Sequence, residues 1–219
     1  MTRLAFTTRV LKPLAFVAAL IPLARLVAET FGFGYLGADP VHTVQVVTGL
    51  STLVLLLLTL AVTPLRKLLG WSELIRLRRM LGLFAFFYLV LHALIYFVLD
   101  QSLDPGLIWA DTVEHPRIAV GFAAFLLLIP LAVTSTDRMI RRLGRRWGKL
   151  HRLVYAATTL GVLHYLMVQK LDIREGLVYG AIFGGLMVFR LQGWVGRIRT
   201  AVSGRPSGAA VARPSEDLP

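Results

Sequence analysis

The sequence predicts an all-α, polytopic membrane protein: a six-helix transmembrane bundle with both termini in the cytoplasm. Three observations carry this. Of 219 residues, 56% are hydrophobic, and the mean hydropathy is +0.69. Several apolar runs approach the roughly 20 residues that cross about 30 Å of hydrocarbon. The basic residues cluster in alternate connecting segments, as they do when a chain weaves through a membrane.

The spans fall near residues 12–28, 46–64, 80–99, 117–135, 152–169 and 176–191. No small-residue cleavage site follows the first apolar run, so it reads as a retained helix and not a signal peptide. Gly32, Gly34, Gly37 and Pro40 mark the first loop. Pro64 ends the second span, Asp104, Pro105 and Gly106 open the third loop, and Pro116 precedes the fourth span. Residues 1–202 form one membrane domain. The segment 203–219, rich in Pro, Ser, Gly and Ala, reads as a disordered cytoplasmic tail. No internal repeat stands out.

Charge sets the orientation. The N-terminus, the loops after spans two and four, and the C-terminus hold 20 of the 24 Lys and Arg residues. Only Arg25, Arg117, Lys170 and Arg174 fall on the other side, with eight of the 12 acidic residues. The positive-inside rule places the basic side, and both termini, in the cytoplasm. This asymmetry accounts for the formal charge of +12 without nucleic acid. The basic loops serve topology and contact with anionic lipid. The chain has no cysteine, which excludes disulfides, thiolate zinc sites and cysteine-ligated iron–sulfur clusters.

Five histidines remain to be placed. His42 and His115 fall in outer loops and read as solvated or interfacial. His92 and His164 lie deep in apolar spans, where a polar group is costly and marks a functional site by default. His92 lies 13 residues after Arg79, and His164 lies 12 after Arg152, on two spans that run the same way. At about 1.5 Å per residue, both sit roughly 18–20 Å above the basic boundary, in the outer half of the bilayer. Two facing imidazoles at one depth suit the two axial positions of a low-spin heme, which exchanges electrons without binding substrate at iron. Interhelical hydrogen bonds are the competing reading.

His151 stands 13 residues before His164, where a ligand would serve a second heme nearer the cytoplasm. Its opposite number, about 14 residues before His92, is Arg78, followed by Arg79. Neither arginine has a free lone pair for iron; both suit heme propionates. Thirteen helical residues also leave His151 about 140° from the His164 face, so a non-helical first turn is required for the two to share a seam. His151 as a membrane-surface residue stays open. The acids lie almost wholly in loops, so no carboxylate relay of a transporter or pump crosses the membrane.

A set of ordered motifs carries a family likeness over about residues 10–195. They are Gly37-Ala38-Asp39-Pro40-Val41, Thr48-Gly49, Thr63-Pro64-Leu65, Ile75-Arg76 with Arg78-Arg79 and Leu81-Gly82-Leu83, His92, Thr134-Ser135, Leu143-Gly144, Trp147, Leu150-His151, Val154-Tyr155 and His164-Tyr165. In these the chain resembles the MsrQ family, heme-binding membrane subunits of bacterial periplasmic methionine sulfoxide reductase systems, within the ferric-reductase-like transmembrane group. The resemblance implies a bacterial inner-membrane electron-transfer subunit and not the catalytic one. It implies b-type heme, one or two, with His92, His151 and His164 as iron ligands, and it alone brings in FMN. It also implies a heterodimer with a periplasmic molybdenum-cofactor subunit that repairs oxidised proteins, fed by quinone or a cytoplasmic flavin reductase. The wider group often uses four histidines, and this chain has Arg78 where the fourth would stand. Two other readings remain: a self-contained transmembrane ferric or quinone reductase, and a colourless membrane scaffold.

Overall fold

The computed structural model describes residues 2–169 and 173–203. Its helices, in order, are α1 (Arg3–Thr30), α2 (Pro40–Leu68), α3 (Ser72–Asp100), α4 (Pro105–Glu114), α5 (Pro116–Val133), α6 (Asp137–Leu143), α7 (Arg145–Leu150), α8 (Leu153–Val168) and α9 (Arg174–Ser203). No strand occurs among the described residues. The chain is therefore an all-α, multi-pass membrane protein: α1, α2, α3 and α5 are each long and apolar enough to cross a membrane. The last two spans expected from the sequence correspond to α8, of 16 residues, and α9.

Local signals explain where the helices begin. Asp39 accepts a hydrogen bond from the His42 amide and Pro40 opens α2, so this helix starts six residues before the expected span. Asp104 likewise accepts from the amides of Gly106 and Leu107, and Pro105 fills the first position of α4. The segment read as an outer loop is thus a ten-residue helix.

The expected end of span two at Pro64 needs correction. The helix runs through it to Leu68. Proline has no N–H for the carbonyl four residues earlier. That carbonyl, on Leu60, instead accepts 2.7 Å from Arg190 Nη2 of α9, and the guanidinium also donates to the Tyr155 hydroxyl. A similar splice occurs in α1, beside Pro22. The fully buried Tyr88 hydroxyl of α3 donates to Ala19 O at 2.7 Å and accepts from Leu23 N–H at 3.1 Å. A side chain thereby replaces one rung of the α1 ladder.

Packing orders the bundle. Half of the α2 apolar window is buried against 11% for α1, so α2 is central and α1 peripheral. α2 packs chiefly on α3, and α5 chiefly on α8. Contacts of α3 with α5 and of α8 with α2 close a four-helix ring, with α1 laid on α2 and α3, and α9 on α2 and α8. Leu56, Leu60, Leu81, Ala85, Leu128 and Ala157 form the shared core. Lipid tails are as apolar as leucine, so close packing and buried hydrogen bonds hold such a ring together. Thr48, Ser51, Thr52 and Thr59 enter the α2 interior by bonding back to their own helix carbonyls. Ser203, the first residue of the expected tail, belongs to α9; the rest of that tail, residues 204–219, lies outside the described residues.

Candidate functional site

His92 on α3 and His164 on α8 face each other across the ring. Their imidazole centroids are 6.2 Å apart with planes at 83°. The Nδ1 of His92 donates to the Gln45 carbonyl at 3.0 Å, and that of His164 donates to the Arg117 carbonyl at 2.7 Å. A carbonyl only accepts, so each Nδ1 carries the proton and each Nε2 keeps its lone pair. Neither Nε2 has a hydrogen-bond partner among the described residues. A second-atom bond of this kind fixes ring orientation and tautomer in metal-ligating histidines.

Two glycines make room for the rings. A Cβ on Gly49 of α2 would lie 2.9 Å from His92 Cε1 and 3.0 Å from its Nδ1. A Cβ on Gly121 of α5 would lie 2.9 Å from His164 Nδ1 and 3.0 Å from its Cε1. Only glycine lets the imidazoles lie this close to the backbone. Gly49 belongs to a motif singled out in the sequence; Gly121 gave no signal there.

The donor set fits one kind of metal group. Among the described residues no three His, Cys, Asp or Glu side chains gather as a bare-ion site. Two imidazoles alone suit a macrocycle that brings its own four equatorial nitrogens. Imidazole nitrogens lie about 2 Å from a metal they ligate, and two rings on opposite sides of one ion have centroids roughly 6.3 Å apart. The observed 6.2 Å matches.

The site also corrects the expectation of no internal repeat. Gln45, Gly49 and His92 recur at a constant offset as Arg117, Gly121 and His164 (45 to 117, 49 to 121, 92 to 164), and both histidine bonds span 47 residues. Ala85 and Ala157 obey the same offset and are both fully buried. The hairpins α2–α3 and α5–α8 are thus two copies of one device, each contributing a carbonyl, a glycine and an imidazole.

His151 lies in the turn between α7 and α8. Its ring stacks on Trp147 with centroids 3.9 Å apart. Its Nδ1 donates to Trp147 O at 3.2 Å, and its Nε2 lies 3.3 Å from Ser135 Oγ. Burial pushes the His151 pKa below the ordinary imidazole value, and the charge of Arg78 acts in the same direction. Arg78 is half-buried at this end of the bundle. Arg79 is exposed and paired with Asp137. By the constant offset Arg79, not Arg78, is the counterpart of His151 (79 to 151).

At the opposite end, one turn beyond His92, Tyr96 donates to Asp111 Oδ2 of α4 at 2.7 Å, and Gln101 Nε2 approaches the same oxygen at 3.3 Å. His115 Nδ1 comes within 2.8 Å of Asp111 Oδ1, out of line for a hydrogen bond. Tyr96, Phe97 and Phe122 form an aromatic cluster there. This tie between α3 and α4 was not legible in the sequence. His42 is exposed in the first turn of α2.

Residues 46–162 match the family described as ferric reductase like transmembrane component. The chain is 52% identical over 191 residues to the protein-methionine-sulfoxide reductase heme-binding subunit MsrQ of Rhodospirillum rubrum, covering 87% of this chain and 90% of that one. It is 48% identical to the MsrQ of Ralstonia nicotianae over 206 residues, 93% of each chain. It is 44% identical to that of Xanthomonas axonopodis pv. citri, covering 95% of this chain and 94% of the relative. No solved structure matches the chain.

Proposed function

Because the chain belongs to the MsrQ family, within the ferric-reductase-like transmembrane group, we propose that it is the heme-binding membrane subunit of a methionine sulfoxide reductase system. The observation that supports this most is the facing imidazole pair, with both Nδ1 protons tied to backbone carbonyls. In this reading His92 and His164 would hold a b-type heme, which would supply one-electron exchange. Gly49 and Gly121 set how closely the rings approach their helices. The Gln45 and Arg117 carbonyls hold the ligating tautomer.

The rest of the reading builds on that site. The chain crosses the bacterial inner membrane six times with both termini cytoplasmic. The imidazole pair then lies nearer the periplasm, at the exit of the electron path. Electrons enter at the basic end, from quinone or a cytoplasmic flavin reductase; a second, inner heme there would be held by His151, with Arg78 and Arg79 serving its propionates. The ion pair of Arg79 with Asp137 and the closeness of Arg78 to His151 favour Arg78 for that task. FMN rests on the family alone. The acceptor is a periplasmic molybdenum-cofactor subunit forming a heterodimer with this chain. The acidic outer segment around Asp100, Asp104 and Glu114 steers a basic patch on it.

Mixing dithionite-reduced protein, freed of excess reductant, with that subunit and methionine sulfoxide tests the proposal. Reoxidation by the subunit and not by ferric chelates supports it. Rapid reoxidation by free ferric chelates, with none by the subunit, identifies a self-contained ferric reductase.

A further inference from the structure

An open groove of about 350 Å³ runs between α1 and α3, lined by Thr8, Lys12, Pro13, Phe16, Val17 and Met80. Both of its ends are pinned. Below it Arg3 Nη1 donates to Gly70 O at 2.9 Å, and Trp71 Nε1 donates to the buried Thr7 Oγ1 at 3.0 Å. Above it Phe16 meets Phe84 edge to face, 5.1 Å between centroids. Between these clasps a π-helical turn at Thr7–Leu11 re-aims the residues that follow.

The lining is apolar except at one end. Phe16 and Val17 are 47% and 61% exposed, as suits contact with hydrocarbon. Lys12 has no ion-pair, hydrogen-bond or ring partner among the described residues. Arg9 lies one turn before it, and no acidic residue occurs in the sequence before Glu29. A cation at the edge of an apolar groove, with no protein counter-charge, complements a phosphodiester whose acyl chain continues along the groove.

We propose that this groove holds one anionic phospholipid, its phosphate on Lys12 and an acyl chain along Phe16, Val17 and Met80. Its assignment to the inner leaflet rests on the orientation given above; its charge preference does not. The site lies outside the interior of the four-helix ring that holds the imidazole pair.

The full-length protein, stripped in detergent and reloaded with equal phosphatidylglycerol and phosphatidylcholine, is read by native mass spectrometry. The wild type retains phosphatidylglycerol preferentially. One cation–phosphate contact near a membrane surface is worth about fivefold, roughly 1 kcal/mol. Lys12→Gln therefore lowers the preference about fivefold, and Lys12→Arg keeps it. Met80→Trp, which fills the groove, lowers retention of both lipids. Equal retention of the two lipids by the wild type overturns the proposal. So does an unchanged preference in Lys12→Gln, or displacement of the bound lipid by ubiquinone at equal concentration, which assigns the groove to quinone. None of these readouts depends on heme or on orientation, so failure here is separable from failure of the electron-transfer reading.

Discussion

Alanine at Gly49 or Gly121 puts a methyl group where an imidazole now lies. The new Cβ sits 2.9 Å from a ring atom, and ordinary contact begins at 3.4 Å, so ring or helix must give by 0.5 Å (3.4 − 2.9). Ligand distances in a metal site hold to about 0.2 Å, so the ring cannot absorb this and keep its place. Its Nδ1 bond to a carbonyl on that same helix resists the movement as well. Overpacking of this kind costs about 1–3 kcal/mol. Expressed in heme affinity, that is roughly 5- to 150-fold weaker binding. The assay is the heme-to-protein ratio, from Soret absorbance, of purified variants during titration with a competing apo-hemoprotein. Gly161→Ala is the control: it lies on α8 with His164, and its Cβ would meet nothing within 4 Å. It should hold heme as the wild type does. Full low-spin heme in Gly49→Ala and Gly121→Ala, with competition curves matching that control, refutes the role given to the two glycines.

Arg190→Met leaves the Leu60 carbonyl without its donor and should lower stability by about 1–3 kcal/mol, read as thermal unfolding in detergent. In a Pro64→Ala background the helix regains its own N–H for that carbonyl, so the same substitution should cost less; equal costs in both backgrounds contradict the coupling. Tyr88→Phe removes the hydroxyl spliced into α1 and should destabilise by about 1–3 kcal/mol; an unchanged unfolding temperature counts against it. The Asp137 carboxyl is held below its usual pKa by the hydrogen bond and charge of Arg79. A lowered carboxylate pKa contributes stability that is present above the unfolded value of about 3.9 and lost as pH falls through the lower folded value. The pair is exposed, so Asp137→Asn should leave unfolding at neutral pH and high salt unchanged; a large loss there indicates a buried role.

The imidazole pair was legible because helix rise converts sequence distance into depth. His92 and His164 stand 13 and 12 residues from their basic boundaries, and the structure brings their rings to 6.2 Å. The long apolar helices α1, α2, α3 and α5 were legible in the same way, as apolar runs. What escaped the sequence depends on pairings between helices. Gly121 looks like any small residue in an apolar span until His164 lies on it. Arg190 counts among the C-terminal basic residues until Pro64 frees a carbonyl within its reach. Tyr88 reads as core filler, and only its contact with α1 reveals the splice. The helix α4 carried its own signal in Asp104-Pro105, a cap followed by a proline at the first helical position. The same pair also marks a loop, and nothing in a ten-residue segment decides between them. The correspondence between the two hairpins was hidden because it touches only isolated positions and runs partly through the main chain: Gln45 and Arg117 share a role through their carbonyls, which no side chain records.

An absorption spectrum of the purified protein, oxidised and then reduced with dithionite, bears on the imidazole pair without any partner or substrate. The wild type expressed with ample heme should show a Soret band and the sharpened, split visible bands of a low-spin b-type heme. His92→Ala and His164→Ala should each lose the main heme signal, while His151→Ala should lose only part of it or shift its potential. A protein without a Soret band, or either outer-pair variant retaining full low-spin heme, contradicts the pairing of His92 with His164 as the redox site.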